Sequence, residues 1–346
     1  MDKNPKVTVI MPAYNAERFL ESSCRAVLNQ SHRNLRLLVV NDGSRDRTGE
    51  ILARLSEEDS RLRALTVSNG GPAMARNRAL DALDGDTDYV MFMDADDELL
   101  PDAVEYALTG AARGAELIVF GYSIQSADGS LRDYCEPERL ISRQELGREL
   151  ARLYRANLLN QVWGKLYSAR MIREGGFRFP DYRWGEDRFF VFDCLEAAER
   201  ICVLPGCKYR YIMHEGESLI SKYYAPKFEV CLAIDRRVEA LCRRFGVEDD
   251  RDFRYMFLKS VYSCATMLFA PSCPLSGEEK RAYLRRMLED ERVGTRGQGA
   301  SGGLPVQLLY AVMRSKCVGL NLAAFRAVAR ASETAPELVR RIKHRK

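Results

Sequence analysis

The run Tyr89–Met93 (YVMFM) is apolar at every position, where a strand with one wet face would alternate apolar and polar residues. A strand of this kind is buried on both faces, as in a parallel sheet covered by helices. Related signals surround it. Val7–Met11 (VTVIM), Leu35–Val40 (LRLLVV) and Glu116–Tyr122 (ELIVFGY) read as strands, and Arg61–Val67 as a weaker one. Between them lie helical patterns at Ala16–Gln30, from a cap at Ser44 or Asp46 to about Leu55, at Ala73–Leu83 and at Pro101–Gly110. The alternation predicts an open α/β sheet, and such sheets bind ligands outside the carboxyl ends of their strands.

The residues just past each strand are therefore informative. Tyr89–Met93 runs into Asp94, Asp96 and Asp97, Leu35–Val40 into Asn41–Ser44 (NDGS), and Val7–Met11 into Pro12–Asn15 (PAYN). Candidate ligand contacts thus share one edge of the sheet. Taken alone, the acidic cluster also reads as a solvated turn opening a helix at Pro101, and NDGS as an Asx turn shaped by Gly43. Asp97 suits the start of that helix, where a carboxylate favours the positive end of the dipole.

Length and composition leave room for one large domain and an accessory region, with 346 residues, 46% of them hydrophobic, and a net charge of +4. So mild a charge gives no reason to expect a nucleic-acid partner. Ten cysteines would suggest disulfides in a small secreted domain, but no CxxC pair occurs, and Cys194, Cys231 and Cys264 sit among apolar neighbours. The N-terminal MDKNPKVTVIMP enters a strand directly, without the charged start and apolar stretch of a signal peptide. A reducing cytosol fits these features. No apolar run approaches the roughly 18 residues that span a bilayer. From about Tyr224 the pattern becomes helical, near Ala225–Phe245, Phe253–Phe269, Gly277–Glu289 and Leu304–Ala331, dividing the chain into residues 1–223 and 224–346. Gly294–Gly303 (GTRGQGASGG) follows a helix and lacks the lysine of a phosphate loop, so a flexible linker is expected there.

The blocks VTVIMPAYNAERFL, VVNDGSRDRT, NGGPAMARNRAL, MDADDELLP and WGEDRFF occur in an order and spacing that resemble the inverting glycosyltransferases of family 2. That family has the GT-A fold, an α/β architecture with a Rossmann-like, mostly parallel open sheet flanked by helices. The resemblance covers Lys6 to Ser221, and several ordered blocks are far more specific than a lone Asp-x-Asp (DXD) motif. It implies a metal-dependent enzyme moving a hexosyl or N-acetylhexosaminyl group from a nucleotide sugar, most often a UDP sugar. The acceptor would be a hydroxyl of a glycan or polyprenyl-linked glycan in bacterial capsule or exopolysaccharide synthesis. Mg²⁺ or Mn²⁺ would neutralise the departing diphosphate.

Residue by residue, the resemblance makes Asp96 the metal residue and Asp94 one shared between ribose and metal, with His214 touching metal or diphosphate. Asp42 matches the aspartate that accepts a hydrogen bond from uracil, although many relatives have Asp-Asp-Gly-Ser where this chain has Asn41 first. Pro12, Ala13 and Tyr14 would line the base pocket, and Arg76 would reach the base or diphosphate. Asp187 matches the general base that takes the acceptor's proton, while the sugar passes through an oxocarbenium-like state. Glu186 would support it or contact the acceptor. Trp163 and Lys165 match a segment near the acceptor side, and Ser218 and Ser221 the loop that closes over the donor.

Each position also has a plainer local reading. Asn15 suits a helix cap, Arg76 and Lys165 exposed helix side chains, GED a cap for the helix near Arg188, and His214 a core or surface residue. From Leu304 to Lys346 nine Lys/Arg face Glu333 and Glu337, a net +7. Interleaved with apolar residues, they suit either contact with an anionic surface at the inner face of the cell membrane or a solvated basic face. Two rival functions stand beside the transferase. A nucleotidyltransferase would show a glycine-rich basic loop after the first strand, where this chain has PAYNAERF. A catalytically inactive nucleotide- or glycan-binding module would not need the intact Asp94, Asp96 and Asp187.

Overall fold

In the computed structural model, which describes residues 4–214, 223–298, 300 and 304–334, the chain divides into two units, Met1–Gly216 and Glu217–Lys346. The first unit carries the strands β1 (Val7–Ala13), β2 (Leu35–Asn41), β3 (Leu62–Thr66), β4 (Tyr89–Phe92), β5 (Glu98–Leu99), β6 (Leu117–Gln125), β7 (Leu131–Tyr134), β8 (Arg139–Ser142), β9 (Lys165–Ser168) and β10 (Arg200–Ile212). They form one sheet in the order β3-β2-β1-β4-β9-β6-β10-β5, with β7 beside β6 and β8 beside β10. β1 to β4 pair in parallel, as do β6 and β10, while β9 runs antiparallel between β4 and β6. The apolar runs account for this layout. Val90, Met91, Phe92 and Met93 are wholly buried, as are Val7, Val9, Ile10 and Met11, so both faces of the sheet are covered. This is the mostly parallel open sheet that the uninterrupted apolar pattern predicts.

The parallel pairing brings the carboxyl ends of β1, β2, β4, β6 and β10 to one edge, where the antiparallel β9 presents its amino end. Helices α1 (Leu20–Leu28), α2 (Thr48–Glu58), α3 (Pro72–Asp81), α4 (Ala103–Ala112), α5 (Leu146–Arg155), α6 (Ala169–Gly175) and α7 (Glu186–Ala197) complete the unit. An aromatic cluster fixes α7 against the sheet. Phe92 on β4 meets Phe179, Phe190 and Tyr167 edge-on at 5.4, 5.4 and 5.6 Å, and Phe179 stacks on Phe190 of α7 at 4.3 Å. Offset and edge-on aromatic pairs of this kind add about 0.5–1.5 kcal/mol each beyond burial.

Several elements differ from the sequence-based expectation. The first helix begins at Leu20, not Ala16, because Asn15, Ala16 and Glu17 give their amides to Ser44, Thr48 and Asp46, in the loop after β2 and at the first residue of α2. Asn15, at φ +48°, is therefore a loop residue and not a cap. Asp97 does not open a helix. The strand β5 follows it, α4 starts only at Ala103, and its carboxylate accepts from the Tyr209 hydroxyl (2.5 Å) and the Ile212 amide (2.9 Å).

The second unit is helical, with α8 (Lys227–Arg244), α9 (Arg251–Thr266) running into a 3₁₀ turn at Met267–Phe269, α10 (Gly277–Glu289), α11 (Glu291–Arg296), α12 (Leu304–Arg314) and α13 (Val318–Thr334). The single helix expected over Leu304–Ala331 is broken at Ser315–Cys317, where Lys316 has φ +52°. The expected linker is also partly structured, since Gly294 to Arg296 close α11. Arg296 is buried and donates to Asp235 through Nε (3.1 Å) and Nη2 (3.0 Å), and to Asp250 through Nη1 (2.6 Å). Arg292 reaches Asp235 as well, at 2.6 Å. Removing one partner of a buried ion pair strands the other, so Arg296→Met should lower stability by about 3 kcal/mol. Chemical denaturation of the full chain checks it, and an unchanged midpoint would show the network to be dispensable.

Candidate active site

The ligand edge begins with two loops stitched together. Asn41 Oδ1 accepts from the Ser44 amide at 3.0 Å, the Asx turn that NDGS suggests. Gly43 has φ +70°, and a Cβ there would stand 2.9 Å from the Asn69 nitrogen, so the turn needs glycine for both angle and space. Beside it Asp42 is buried, its amide bonded to Ala13 O (2.8 Å) and its two carboxylate oxygens to the amides of Gly70 and Gly71 (2.8 Å each). Asp42 thereby holds the segment before α3 against the ends of β1 and β2. Tyr14 is half exposed beyond them, Pro12 partly exposed, and Ala13 buried.

Arg76 on α3 occupies the centre. It is 4% exposed, neither a surface residue nor open to solvent. Its Nη2 donates to Asp94 Oδ1 (2.8 Å), and its Nη1 to Asp187 Oδ1 (2.9 Å) and Glu186 Oε1 (3.1 Å). Its Nε is buried without a partner among the described residues, and the guanidinium carbon lies 5.5 Å from the Phe179 ring centre. Burial opposes the guanidinium charge, but the attraction of Asp187, Asp94 and Glu186 outweighs it and raises the Arg76 pKa. Burial pushes the Glu186 carboxyl up to about 7, with added repulsion from Asp187. Asp187 is also raised, with Arg76 pulling the other way.

Glu186 and Asp187 are the first two residues of α7, after Gly185 at φ +82°. Their carboxylates thus sit at the positive end of a helix dipole, and they point to Arg76 without closing a side-chain cap. The second oxygen of Asp187 accepts from the Val162 amide at 3.1 Å. That amide belongs to a turn held by buried side chains. Lys165 Nζ donates to the carbonyls of Gln161 (2.6 Å) and Trp163 (3.2 Å), and the Tyr167 hydroxyl to that of Val162 (2.8 Å). Lys165 is fully buried in β9, not an exposed helix lysine, and burial lowers its pKa to about 7 against the pull of Asp187. Trp163 stacks on Tyr209 (4.5 Å) and Tyr211 (5.8 Å).

Asp94 and Asp96 follow β4 and are partly exposed, while Asp97 is buried beneath them. Burial, then repulsion from Asp94 and Asp96, raises the Asp97 carboxyl well above the ordinary range. The Tyr209 hydroxyl joins the two ends of the segment, accepting from the Asp94 amide (3.2 Å) as it donates to Asp97. His214 stacks on Phe19 at 3.9 Å and places Nε2 3.3 Å from the main-chain oxygen of Asp96. The structure thus gathers Asp94, Glu186 and Asp187 around Arg76, and His214 beside Asp96. Asp42 and Tyr14 lie at the ends of β1 and β2, and Ser218 and Ser221 fall outside the described residues. Sequence reasoning missed the amides of Gly70, Gly71 and Val162, main-chain contacts that residue type does not advertise, and the Tyr209 hydroxyl, whose partners lie 115 and 112 residues away in the chain.

Residues 8–174 match the sequence model of the family described as "Glycosyl transferase family 2". The chain is 30% identical over 304 residues to the uncharacterized glycosyltransferase EpsJ of Bacillus subtilis, covering 84% of this chain and 85% of that one. It is also 30% identical to the succinoglycan biosynthesis protein ExoO of Rhizobium meliloti, covering 72% and 71%. Among solved structures, S. aureus TarS 1–349 in complex with UDP-GlcNAc superposes with a TM-score of 0.64 at 19% identity, over 94% of this chain and 92% of that one. That likeness places the fold among GT-A enzymes. The chain belongs to glycosyltransferase family 2 and is a glycosyltransferase of the bacterial polysaccharide-building kind.

Proposed function

We propose that this enzyme is a metal-dependent inverting transferase. It moves a hexosyl or N-acetylhexosaminyl group from a UDP sugar to a hydroxyl of a glycan or polyprenyl-linked acceptor in surface polysaccharide synthesis. The observation that carries the reading is the meeting of Asp94, after β4, with Asp187, at the start of α7, on one buried guanidinium. A carboxylate for the donor side and one able to take a proton are so held side by side at the ligand edge of an α/β sheet. The UDP-GlcNAc bound to TarS favours a uridine donor. Asp42 uses its oxygens on Gly70 and Gly71, but a carboxylate has about four lone-pair sites, which leaves acceptors for a uracil N–H. Tyr14 and Pro12 supply the wall beside it.

Asp94 and Asp96 offer hard oxygen donors, with His214 standing against Asp96, and this set fits Mg²⁺ or Mn²⁺. Among the described residues no three such side chains converge, so phosphate oxygens would complete the coordination. When bound, the cation would neutralise charge building on the leaving diphosphate.

On the opposite face of the sugar the acceptor oxygen attacks the anomeric carbon, and the bond to the diphosphate breaks with its electron pair going to the leaving oxygen. Asp187 takes the acceptor's proton. Its Oδ1 is held by the Arg76 cation and its Oδ2 by the neutral Val162 amide, which makes Oδ2 the more basic oxygen and the one that receives the proton. Trp163 and Lys165 shape the turn carrying that amide, behind the acceptor side.

The second unit supplies a route to lipid-linked acceptors at the inner face of the membrane. No described helix is long and apolar enough to cross a bilayer. The α12–α13 pair nonetheless exposes Leu308 and Leu320, 58% and 51% accessible, together with Arg314, Lys316, Arg326 and Arg330. Apolar and cationic residues exposed together suit an anionic interface.

Three outcomes are expected. Asp187→Asn should lower turnover by about 10²–10⁴-fold and leave UDP affinity intact; unchanged turnover would remove Asp187 as the base. UDP with Mn²⁺ at about 100 times its dissociation constant should add roughly 2.7 kcal/mol, raising Tm by about 2–4 °C. Asp96→Asn should abolish that rise, and a rise persisting without metal would sink the cation's role. In vesicle cosedimentation the chain should bind phosphatidylglycerol-containing bilayers over pure phosphatidylcholine, and Arg326→Gln should weaken binding about fivefold. Equal binding to both lipids would refute the membrane contact.

A further inference from the structure

We infer that Arg76 is a positioning residue for the transfer step, a clamp that sets the base Asp187 at a fixed offset from the donor carboxylate Asp94. The inference rests on the proposed role of Asp187 and departs from the donor contact that the family resemblance implies for this arginine. A side chain that bound the base or diphosphate would need donors open to the ligand. In Arg76 three of the five N–H groups, both on Nη1 and one on Nη2, are taken by protein carboxylates, which leaves a single Nη N–H uncommitted. Its Nε is buried, with no partner among the described residues.

The geometry suits alignment. The planar guanidinium spreads its Nη atoms at a fixed separation, and each holds a carboxylate from a different element, Asp94 after β4 and Asp187 with Glu186 at the start of α7. The Phe179 ring, 5.5 Å from the guanidinium, constrains its plane. That ring is itself fixed by Phe92 of β4 and Phe190 of α7, the same elements that carry the carboxylates. Guanidinium and aromatic cluster therefore form one rigid link between the two halves of the site. Electrostatics add to it, because Arg76 opposes the burial that would otherwise neutralise Asp187.

The test uses the full chain with Mn²⁺ and measures kcat, donor KM, UDP affinity and Tm for Arg76→Lys, Arg76→Met and the double variant Arg76→Met/Glu186→Gln. The double variant removes one of the carboxylates that loss of the cation would strand. A displaced reacting group costs on the order of 10²-fold in rate. We expect that loss in kcat for all three, donor KM and UDP affinity within roughly twofold, and a higher Tm for the double variant than for Arg76→Met. Weakened UDP binding with kcat preserved would make Arg76 a donor contact and overturn the inference, as would unchanged kinetics. So would recovery of kcat together with Tm in the double variant, since Arg76 would then serve folding alone. Turnover surviving in Asp187→Asn would instead remove the base, a failure separable from that of the clamp.

Discussion

A buried guanidinium is tolerable only when its neighbours repay the loss of water, and here that condition organises the site. Removing an ion from water costs several kcal/mol even after relaxation. Arg76 recovers it from Asp94, Glu186 and Asp187, residues as far as 111 positions away in the chain. Until α3, β4 and α7 have met, the charge has no counterpart, so the ion cluster favours this arrangement over other compact ones. The carboxylates in turn lean on Arg76 and on the amino end of α7. Neither the acids nor the arginine would be comfortable alone.

The parallel half of the sheet is visible in the chain because burial on both faces leaves runs such as Tyr89–Met93 without a polar position. The antiparallel additions are not. β7, β8 and β9 have four residues each, too short to show a period, and Lys165 opens β9 with a charge that argues against burial. The carbonyls of Gln161 and Trp163, set by the local turn, and the attraction of Asp187 make that lysine acceptable inside. Likewise the late start of α1 comes from side chains of the loop after β2 and of the first residue of α2, and the helical turn at Gly294–Arg296 is held by Asp235 and Asp250 from elsewhere in its unit. Local composition there points to a linker, and tertiary ion pairing overrides it.

Within the site, sequence reading finds residue types but not partners. The carboxylates after β4 and in WGEDRFF stand out as motifs, and the structure brings Asp94 and Asp187 to a common cation. Local pattern misassigns which acid is structural. Asp97 looks like the opening of a helix, yet its contacts are with Tyr209 and Ile212, at separations of 112 and 115 residues that no local pattern encodes. Arg76 looks like a surface or ligand-facing side chain for the same reason.

The lacing of the first two loops carries one more consequence. Amides of Asn15, Ala16 and Glu17 are bound by Ser44, Thr48 and Asp46, and those of Gly70 and Gly71 by Asp42, so this floor is ordered by folding itself. In the proposed reading, a nucleotide bound on this floor would meet backbone that folding has already ordered, and the ordering cost of association would be correspondingly small. For an enzyme that sheds a spent nucleotide after every transfer, a floor held by its own hydrogen bonds would permit exchange without loosening the scaffold beneath it.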